Sequence, residues 1–371
     1  MASASKESVE AVVIGAGVGG LVAARQLVER GHTVAVIESR DRVGGRLLSA
    51  PAGPGVALDL GATWFWPNEP RVMSLIAELG VPHHPHHIAG DALYHDQNGG
   101  IRLDGNPIDV PSGRFTAGAD RLAEELAAQL PDGTLRLSTA ATAIAEDAVG
   151  GLQVDLSTPG GPGQLQGEHV VLALPPALAI HRIALPATLP DRVRSLAGAT
   201  PVWMGSIAKV VIRYDRAFWR DRGLAGSAMS HIGPMRELHD MSGPDGDPAA
   251  LFGFAPLTVP GASAPNENDI RDQLRALFGA DAPDPTDITV MDWSTEADTT
   301  PPGAARLGAY QLFGHPEYQV PTLEGRLHWA STETSPVAPG HIEGAIAAGE
   351  RAAAAIDAAL TDESALTRGR P

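Results

Sequence analysis

The chain has 371 residues, a formal net charge of −17 at pH 7 and no cysteine. Without cysteine there is no disulfide, thiolate metal site, catalytic thiol or cofactor bound through cysteine sulfur; the negative charge argues against nucleic acid or an anionic membrane as partner. No apolar run reaches the ~18 residues of a membrane helix, and the first residues lack the pattern of a secretion signal, so we expect a cytoplasmic protein.

The first part of the chain predicts a strand, a glycine-rich turn, a helix and a second strand. Residues 11–14 form a short apolar run, and a helical pattern begins near Leu21 and stops at Gly31, a residue type common just after a helix. Residues 33–37 are again apolar. This order is typical of the first βαβ unit of a doubly wound, Rossmann-like domain.

The turn itself predicts a dinucleotide site. Gly15, Gly17 and Gly20 form the pattern G-x-G-x-x-G, and Glu38 ends the second strand. The first glycine permits the tight turn, the second lets the backbone approach a pyrophosphate, and the third lets the helix pack on the strand. A carboxylate at position 38 accepts hydrogen bonds from a ribose diol. At this point both FAD and NAD fit.

The next elements argue against a second nucleotide site. A helix is predicted from about Gly118 to the turn at Pro131, followed by strands near 135–138, 152–156 and 170–174. The glycines between the last two strands belong to a polar hairpin turn with no helix behind them. We therefore do not interpret them as a phosphate loop, which counts against a separate nicotinamide site.

After about residue 176 the pattern changes and a second domain is predicted. Residues 201–320 mix strands with loops rich in Pro, Gly and Asp. A strand at 327–330 and an Ala-rich helix from Ile342 to about Leu360 follow, and the last residues are expected to be a frayed tail.

Five blocks of sequence resemble the flavin-containing amine oxidase family, which includes monoamine, polyamine and L-amino-acid oxidases. In order they are ESRDRVGGRLLS, LDLGATWFW, VVLALPP, GSIAKVVIRYDRAFWR and GRLHWASTETSPVAPGHIEGAIAAGERAA. The resemblance implies FAD as the dinucleotide, and the lack of cysteine favours non-covalent binding. The implied fold class is α/β (α+β overall), with a Rossmann-like FAD-binding domain (1–80, 112–176 and 321–362), a sheet-containing substrate domain (81–111 and 177–320) and a flexible tail (363–371).

The same resemblance implies which residues contact FAD. Arg46 matches the arginine that lies along the pyrophosphate, and Glu333 matches the glutamate that binds the ribityl chain. The N-terminus of the last helix points at the pyrimidine edge of the flavin, where its partial positive charge stabilises reduced flavin. The full set of expected FAD-binding residues comprises Gly15, Gly17, Gly20, Glu38, Arg40, Arg46, Gly61, Ala62, Thr63, Trp64, Ala141, Glu333, Gly340, His341 and Ile342.

Three residues are candidates for the reacting end of the flavin. Lys209 matches the lysine that holds a water beside flavin N5; apart from Lys6 it is the only lysine in the chain. Strand alternation places Lys209 on an apolar face. The alternative interpretation is that its charge protects an edge strand from pairing with another strand. Trp293 matches a tryptophan near the flavin, with an ordinary core tryptophan as its alternative. His341 stands at one position of the family's aromatic cage.

The chain departs from the family in several places. The second cage position falls near Gly303, so Tyr310, Phe313 or Tyr318 would have to replace the missing ring in part. The segment before residue 114 is too short for the helical insertion of larger members, which predicts a reduced lid. The histidines in HHPHH (His83, His84, His86 and His87) are interpreted as a loop, and no metal site is predicted.

The leading functional hypothesis is an FAD-dependent oxidase with a small-molecule substrate and O2 as partners. Hydride would leave the carbon beside an amine, and reoxidation by O2 would give H2O2. One alternative keeps the flavin and changes the reaction to desaturation, isomerisation or ring oxidation of a specialised metabolite. Another is a flavin-binding partner protein without turnover.

Overall fold

The computed structural model describes residues 7–147, 150–257, 263–303 and 310–368, and for 363–368 the backbone alone. The chain divides into two compact units. The first comprises Met1–Arg46, Leu122–Trp203 and Ala297–Pro371, and the second comprises Leu47–Arg121 and Met204–Glu296. Compactness does not say what a unit binds. The FAD-binding and substrate domains, whose expected bounds differ from those of the units, therefore stay predictions.

The strands of the described residues are, in chain order, β1 (Glu7–Ile14), β2 (Val34–Ile37), β3 (Ser49–Gly53), β4 (Val56–Asp59), β5 (Trp64–Phe65), β6 (His83–Pro85), β7 (Asp91–Asp96), β8 (Gly99–Arg102), β9 (Gly113–Phe115), β10 (Leu135–Arg136), β11 (Ala140–Glu146), β12 (Leu152–Thr158), β13 (Gly161–Leu172), β14 (Ile207–Tyr214), β15 (Leu224–Ser230), β16 (Glu237–Asp240), β17 (Ala249–Pro256), β18 (Asp287–Asp292) and β19 (Leu327–Trp329).

The helices of the described residues are α1 (Val18–Glu29), α2 (Pro70–Leu79), α3 (Asp120–Ala128), α4 (Pro176–Arg182), α5 (Asp191–Ala199), α6 (Phe218–Asp221), α7 (Glu267–Phe278) and α8 (Ile342–Arg368).

The sheet of the first unit has the strand order β10-β2-β1-β13-β12-β11, with β19 also paired to β13. The strands β10, β2, β1, β13 and β19 are parallel, and β12 and β11 are antiparallel additions. The runs 11–14 and 34–37 are buried at every residue, as expected for parallel strands covered on both faces. The predicted α/β fold class is confirmed.

Helix α1 connects β1 to β2 and packs against α8. The two helices approach very closely, because a methyl group at Gly349 would lie 2.3 Å from the carbonyl oxygen of Gly19. Small residues at the crossing therefore let the C-terminal helix lie directly on the helix that follows the glycine-rich turn.

The main sheet of the second unit has the order β18-β14-β17-β16-β15-β7-β8 and is antiparallel except between β15 and β7. Alternation along β14 divides its side chains between the two faces. Ala208, Val210 and Ile212 join one apolar cluster, whereas Val211 packs in another with Phe252. Lys209 shares the face of Val211.

Several expectations about elements are corrected. The hairpin between β12 and β13 is confirmed, but its glycine-containing segment is mostly strand rather than turn. The segment at His83 is also a strand, because β6 pairs with β9. Helix α8 extends to Arg368, past the expected end near Leu360. The remainder of the expected tail, 369–371, and Lys6 lie outside the described residues.

Candidate functional site

The glycine-rich turn of the first unit has the geometry of an anion-binding loop. Gly15 has φ +107°, and a methyl group at Gly20 would lie 2.0 Å from the Gly15 carbonyl oxygen, so neither position accepts a side chain. Gly17 precedes α1 without a capping side chain, and the first turn of α1 has no acidic residue. The N–H groups of this helix end are therefore available to a phosphate, and the residues present fit a dinucleotide.

Glu38 is tied to this turn. Its side chain is buried, with Oε2 accepting a hydrogen bond from the Ala16 N–H at 2.8 Å and Oε1 accepting one from the Arg40 N–H at 2.9 Å. The sequence predicted only a ribose contact for this carboxylate, which stays a prediction. The structure adds a second task, because Glu38 also fixes the backbone between Gly15 and Gly17.

Arg46 and Glu333 form a bidentate ion pair inside the first unit. Arg46 donates to both carboxylate oxygens, at 2.6 and 3.0 Å, and Glu333 is fully buried. Burial alone would raise the pKa of Glu333, but Arg46 and the N–H of Trp203 lower it below its ordinary value. The two residues were expected to contact different parts of FAD. The structure brings them together around an ionised carboxylate.

Two further expected FAD-binding residues serve the packing of the first unit. The guanidinium of Arg40 donates to Thr299 Oγ1 at 2.9 Å and to the Asp298 carbonyl at 3.3 Å. Ala141 is a buried residue of β11 that pairs with Leu156 on β12. Their contacts with FAD stay predictions.

The start of α8 is held by one hydroxyl group. Thr332 Oγ1 accepts from the Gly340 N–H and donates to the His341 carbonyl, both at 2.8 Å. Gly340 has φ +89°, and a methyl group there would lie 2.6 Å from the Trp203 ring. Glycine is therefore required at 340 both by the backbone angle and by the indole. Ile342, the first residue of α8, is buried.

Four rings form an aromatic cluster in the first unit: Trp203, Tyr310, Phe313 and His341. Trp203 is central, with ring-centroid distances of 5.5 Å to Tyr310, 6.3 Å to Phe313 and 6.5 Å to His341. Sequence reasoning missed Trp203. The available signal was an aromatic residue two positions before the block GSIAKVVIRYDRAFWR.

The suggestion that Tyr318 replaces a cage ring is wrong. Tyr318 is 2% exposed, its hydroxyl is hydrogen-bonded to Thr200 Oγ1 at 2.6 Å, and its ring packs on Trp329. It is a core residue of the first unit, since both its ring and its hydroxyl are already satisfied by packing.

Lys209 is buried in the second unit, with 2% exposure. Its Nζ donates to the Gly61 carbonyl at 2.8 Å and to Thr63 Oγ1, and it lies 4.5 Å from the centroid of the Phe252 ring. β14 lies between β17 and β18, so the edge-strand alternative is wrong. The structure thus brings together three expected site residues, Lys209, Gly61 and Thr63.

Burial lowers the pKa of Lys209 to about 7. The negative charge of Asp59 opposes this shift, and the positive charge of Arg114 adds to it. Sequence reasoning missed both residues. Their partners are distant in the chain, and nothing in the local pattern marks a buried arginine in a short strand.

Trp64 and Trp293 occupy different surroundings in the second unit. Trp293 is buried and donates from Nε1 to the Leu60 carbonyl at 3.0 Å, which fixes the segment before Gly61. Trp64 packs edge-on against His239, with centroids 4.9 Å apart. Both tryptophans are therefore part of the packing around the segment that holds Lys209, and their contacts with flavin stay predictions, as does that of Ala62.

His239 connects two carboxylates beside Trp64. Its Nδ1 lies 2.6 Å from Asp109 Oδ1, and its Nε2 lies 3.5 Å from Glu237 Oε2. Burial alone would lower the pKa of His239, but the two carboxylates raise it. His239 thus lies between two carboxylates, with a hydrogen bond to Asp109 and an ion pair to Glu237, a feature that the sequence did not indicate.

In HHPHH, His83 and His84 lie in β6, an edge strand of a small sheet, and His86 and His87 lie in the irregular segment after it. Burial, together with the charge of Arg114, lowers the pKa of His84 and of His86 to about 4. Within the described ranges, no group of three or more His, Asp or Glu side chains is placed to hold a metal ion.

Across the residues with described structure, no helix is both long enough and apolar enough to cross a membrane. The cytoplasmic location stays a prediction. Between α2 and α3 the chain forms only short strands and turns, so no helical insertion is present in that segment.

Comparison with known proteins identifies the family. The model of the flavin containing amine oxidoreductases matches residues 18–117 and 111–357. The chain is 30% identical to a Mycobacterium tuberculosis protein named as a flavin-containing monoamine oxidase, AofH, over 453 aligned positions that include 95% of this chain and 97% of that protein. The alignment is longer than the chain, so the relative carries segments that are absent here.

Two further comparisons agree. The putrescine oxidase of Kocuria rosea is 26% identical, with 94% of this chain and 95% of that protein aligned. The solved structure of cyclohexylamine oxidase from Brevibacterium oxydans has a TM-score of 0.79 at 23% identity, covering 95% of this chain and 99% of that chain, and shows the same fold. The chain therefore belongs to the flavin-containing amine oxidoreductase family.

Proposed function

We propose that the protein binds FAD without a covalent bond and oxidises small amines at the carbon beside the nitrogen. The observation that carries this proposal is the buried Lys209, held by the Gly61 carbonyl and Thr63 in the two blocks that resemble the flavin-facing segments of the family. Burying an ammonium group costs free energy that hydrogen bonds and a paired charge must offset, so a chain that keeps one in its interior is expected to use it for a particular task. The family membership supplies that task.

The cofactor contacts proposed for the first unit follow from its donors. The free N–H groups at the start of α1 bind the pyrophosphate, and Glu38 binds the adenosine ribose. Glu333, kept ionised by Arg46, accepts hydrogen bonds from the ribityl hydroxyls. FAD, when bound, supplies the hydride acceptor, and its reoxidation by O2 gives H2O2.

Two side chains are proposed to act on reactants. Lys209 carries a positive charge in a buried position. There it orders a water molecule and favours the negative charge that develops on O2. The His341 imidazole lies beside the Trp203 indole. An imidazole there can contact a substrate amine, and its ring nitrogen can accept a proton from it.

A second candidate function is oxidation of a substrate that is not an amine. His341 at a cage position favours it, because imidazole can remove a proton from carbon or oxygen, which is not the usual role of an aromatic wall. Desaturation, isomerisation or ring oxidation would use the same flavin. A flavin-binding protein without turnover is disfavoured by the buried Lys209.

The test measures H2O2 formation and O2 uptake by the purified yellow protein with primary amines, diamines, amino acids and matched alcohols. The proposal expects equal amounts of O2 consumed and H2O2 formed with at least one amine, and none with the alcohol of the same carbon chain. The Lys209→Met variant serves as the matched control, with its flavin content measured first. Turnover with the alcohols alone would support the second candidate.

A further inference from the structure

The surroundings of Lys209 contain a buried carboxylate that has no place in the roles described so far. Asp59 ends β4, two residues before Gly61, whose carbonyl accepts a hydrogen bond from Lys209. Asp59 is fully buried, as are Lys209 and Arg114 to within a few percent. Three ionisable groups are thus withdrawn from water within one unit, where each charge depends strongly on the others.

The two oxygens of Asp59 have different partners. Oδ1 accepts hydrogen bonds from Ser49 Oγ at 2.9 Å and from the Ala119 N–H at 2.8 Å. Oδ2 accepts none from the described residues and lies 3.6 Å from Nη2 of Arg114. One oxygen therefore fixes the orientation of the carboxyl group, while the other faces the Arg114 guanidinium. Burial raises the pKa of Asp59, and the positive charges of Arg114 and Lys209 oppose that rise and favour the ionised carboxylate.

Arg114 is itself held on its other side. Its guanidinium donates a hydrogen bond to the Ser242 carbonyl at 3.4 Å and is attracted by the negative charge of Asp240. Arg220 in turn donates two hydrogen bonds of 2.9 Å to Asp240. The charges therefore alternate in sign from Lys209 through Asp59, Arg114 and Asp240 to Arg220. The charged groups that act on Lys209 are Asp59 from β4 and Arg114 from β9, with opposite effects.

We propose that Asp59 is a positioning residue that keeps Lys209 charged, while its own hydrogen bonds anchor the segment whose Gly61 carbonyl holds the Lys209 ammonium group. Asp59 acts through Lys209 and needs no contact with substrate or cofactor. This inference rests on the proposed function for its consequence in turnover. The electrostatic part concerns the chain's own residues and is tested without an amine.

The Asp59→Asn variant isolates the charge. Asparagine can keep its carbonyl oxygen at the Oδ1 position, where both hydrogen bonds are accepted, and its amide nitrogen then replaces the oxygen that accepts none. Losing a nearby opposite charge lowers a lysine pKa by about 1 to 3 units. Lys209 in the variant should therefore be neutral at a pH where it is charged in the parent protein.

The chain offers an unusually direct measurement of this effect. Lys6 and Lys209 are the only lysines, so protein grown with ¹³C-lysine gives two Cε signals in an NMR spectrum, and the Lys6→Arg variant assigns them. The midpoint of the Lys209 signal against pH is then recorded in the flavin-loaded parent, Asp59→Asn and Asp59→Glu. We expect a midpoint lower by about 1 to 3 pH units in Asp59→Asn and close to the parent value in Asp59→Glu.

Two further variants complete the test. Asp91→Asn removes a carboxylate that pairs with Arg102 at the surface of the same unit, and the midpoint should not move. Asp59→Ser removes the same charge with a smaller side chain and should also lower the midpoint, which keeps the proposal testable if Asp59→Asn does not fold. An unchanged midpoint in either neutral variant of Asp59 would overturn the proposal.

The outcome separates this inference from the proposed function. If the midpoint moves as expected, the pH at which flavin reoxidation slows should move by the same amount in the same variant. A moved midpoint with an unmoved reoxidation profile would remove Lys209 from the oxygen reaction and leave the role of Asp59 intact. A protein that oxidises no amine still gives the same NMR titration.

Discussion

Replacing Glu38 with alanine should weaken both the fold of the first unit and its hold on FAD. The substitution removes a buried carboxylate that accepts two backbone hydrogen bonds, from Ala16 and Arg40, and leaves the N–H of Ala16 in the glycine-rich turn without its acceptor. Hydrogen bonds to a charged group are worth about 1.5–3 kcal/mol each. The hydrogen bond from the Arg40 N–H joins residues only two positions apart, so we give it the lower weight and take a total of about 3 kcal/mol for the two bonds.

The assay is thermal unfolding of the protein with and without its flavin. For a chain of this length the unfolding entropy is about 0.8 kcal/mol per kelvin, so the flavin-free Glu38→Ala variant should melt about 4 °C below the parent. A larger fall in melting temperature in the flavin-loaded protein, together with an FAD affinity reduced by tenfold or more, would report the contact between Glu38 and the ribose separately.

Glu29→Ala is the matched control, since the Glu29 side chain is 54% exposed on α1 and pairs with Arg25 one helical turn before it. Its melting temperature should change by less than about 1 °C. If Glu38→Ala and Glu29→Ala have the same melting temperature, the Glu38 carboxylate does not support the glycine-rich turn, and the reasoning from its hydrogen bonds is refuted.

Three other predictions follow from the site residues. Acid precipitation of the yellow protein should leave all flavin in the supernatant as FAD; flavin in the pellet would require a covalent link. Lys209→Met should retain FAD and slow reoxidation of the reduced protein by O2, and reoxidation in the parent should slow as the pH rises through about 7, where Lys209 loses its proton. Stopped-flow mixing with oxygenated buffer measures both effects. An unchanged reoxidation rate in the variant would exclude a role for Lys209 in the oxygen reaction. His341→Phe should lower turnover while FAD content stays constant, and an unchanged rate would reduce His341 to a wall of the site.

The sequence could predict the elements whose signal is local. The pattern of Gly15, Gly17 and Gly20 between two apolar runs requires a tight turn and a close helix, and the structure has both. The ends of elements were less predictable. Strand β1 begins at Glu7 rather than at residue 11, because its polar first residues pair in parallel with β13, a partner more than 150 positions away.

The surroundings of Lys209 could be predicted only in part. Alternation predicted that it lies on an apolar face, and the family resemblance implied a position beside flavin N5, but its contact with Gly61 came only from the structure. Its interior position depends on β17 and β18 pairing on both sides of β14, which no local pattern reveals. Arg114 was equally hidden, because a buried arginine is identified by its distant partners, here Asp59 and Asp240.

The aromatic rings illustrate the same limit. Tyr310, Phe313 and Tyr318 are close in sequence and equally plausible as walls of a substrate site. Packing separates them: the first two rings meet Trp203, whereas the Tyr318 hydroxyl is held within the core. Composition fixes which rings exist, and only the tertiary fold decides which of them remain accessible.

Anaerobic mixing of the oxidised protein with amines tests the central claim most directly. Without O2, transfer of hydride from an amine must appear as loss of the visible flavin absorbance, and admission of O2 must restore it with formation of H2O2. The account predicts this cycle with at least one amine and a slower restoring step in Lys209→Met. A flavin that dithionite reduces but that no amine reduces, while a substrate without nitrogen does, would contradict amine oxidation and favour the second candidate function.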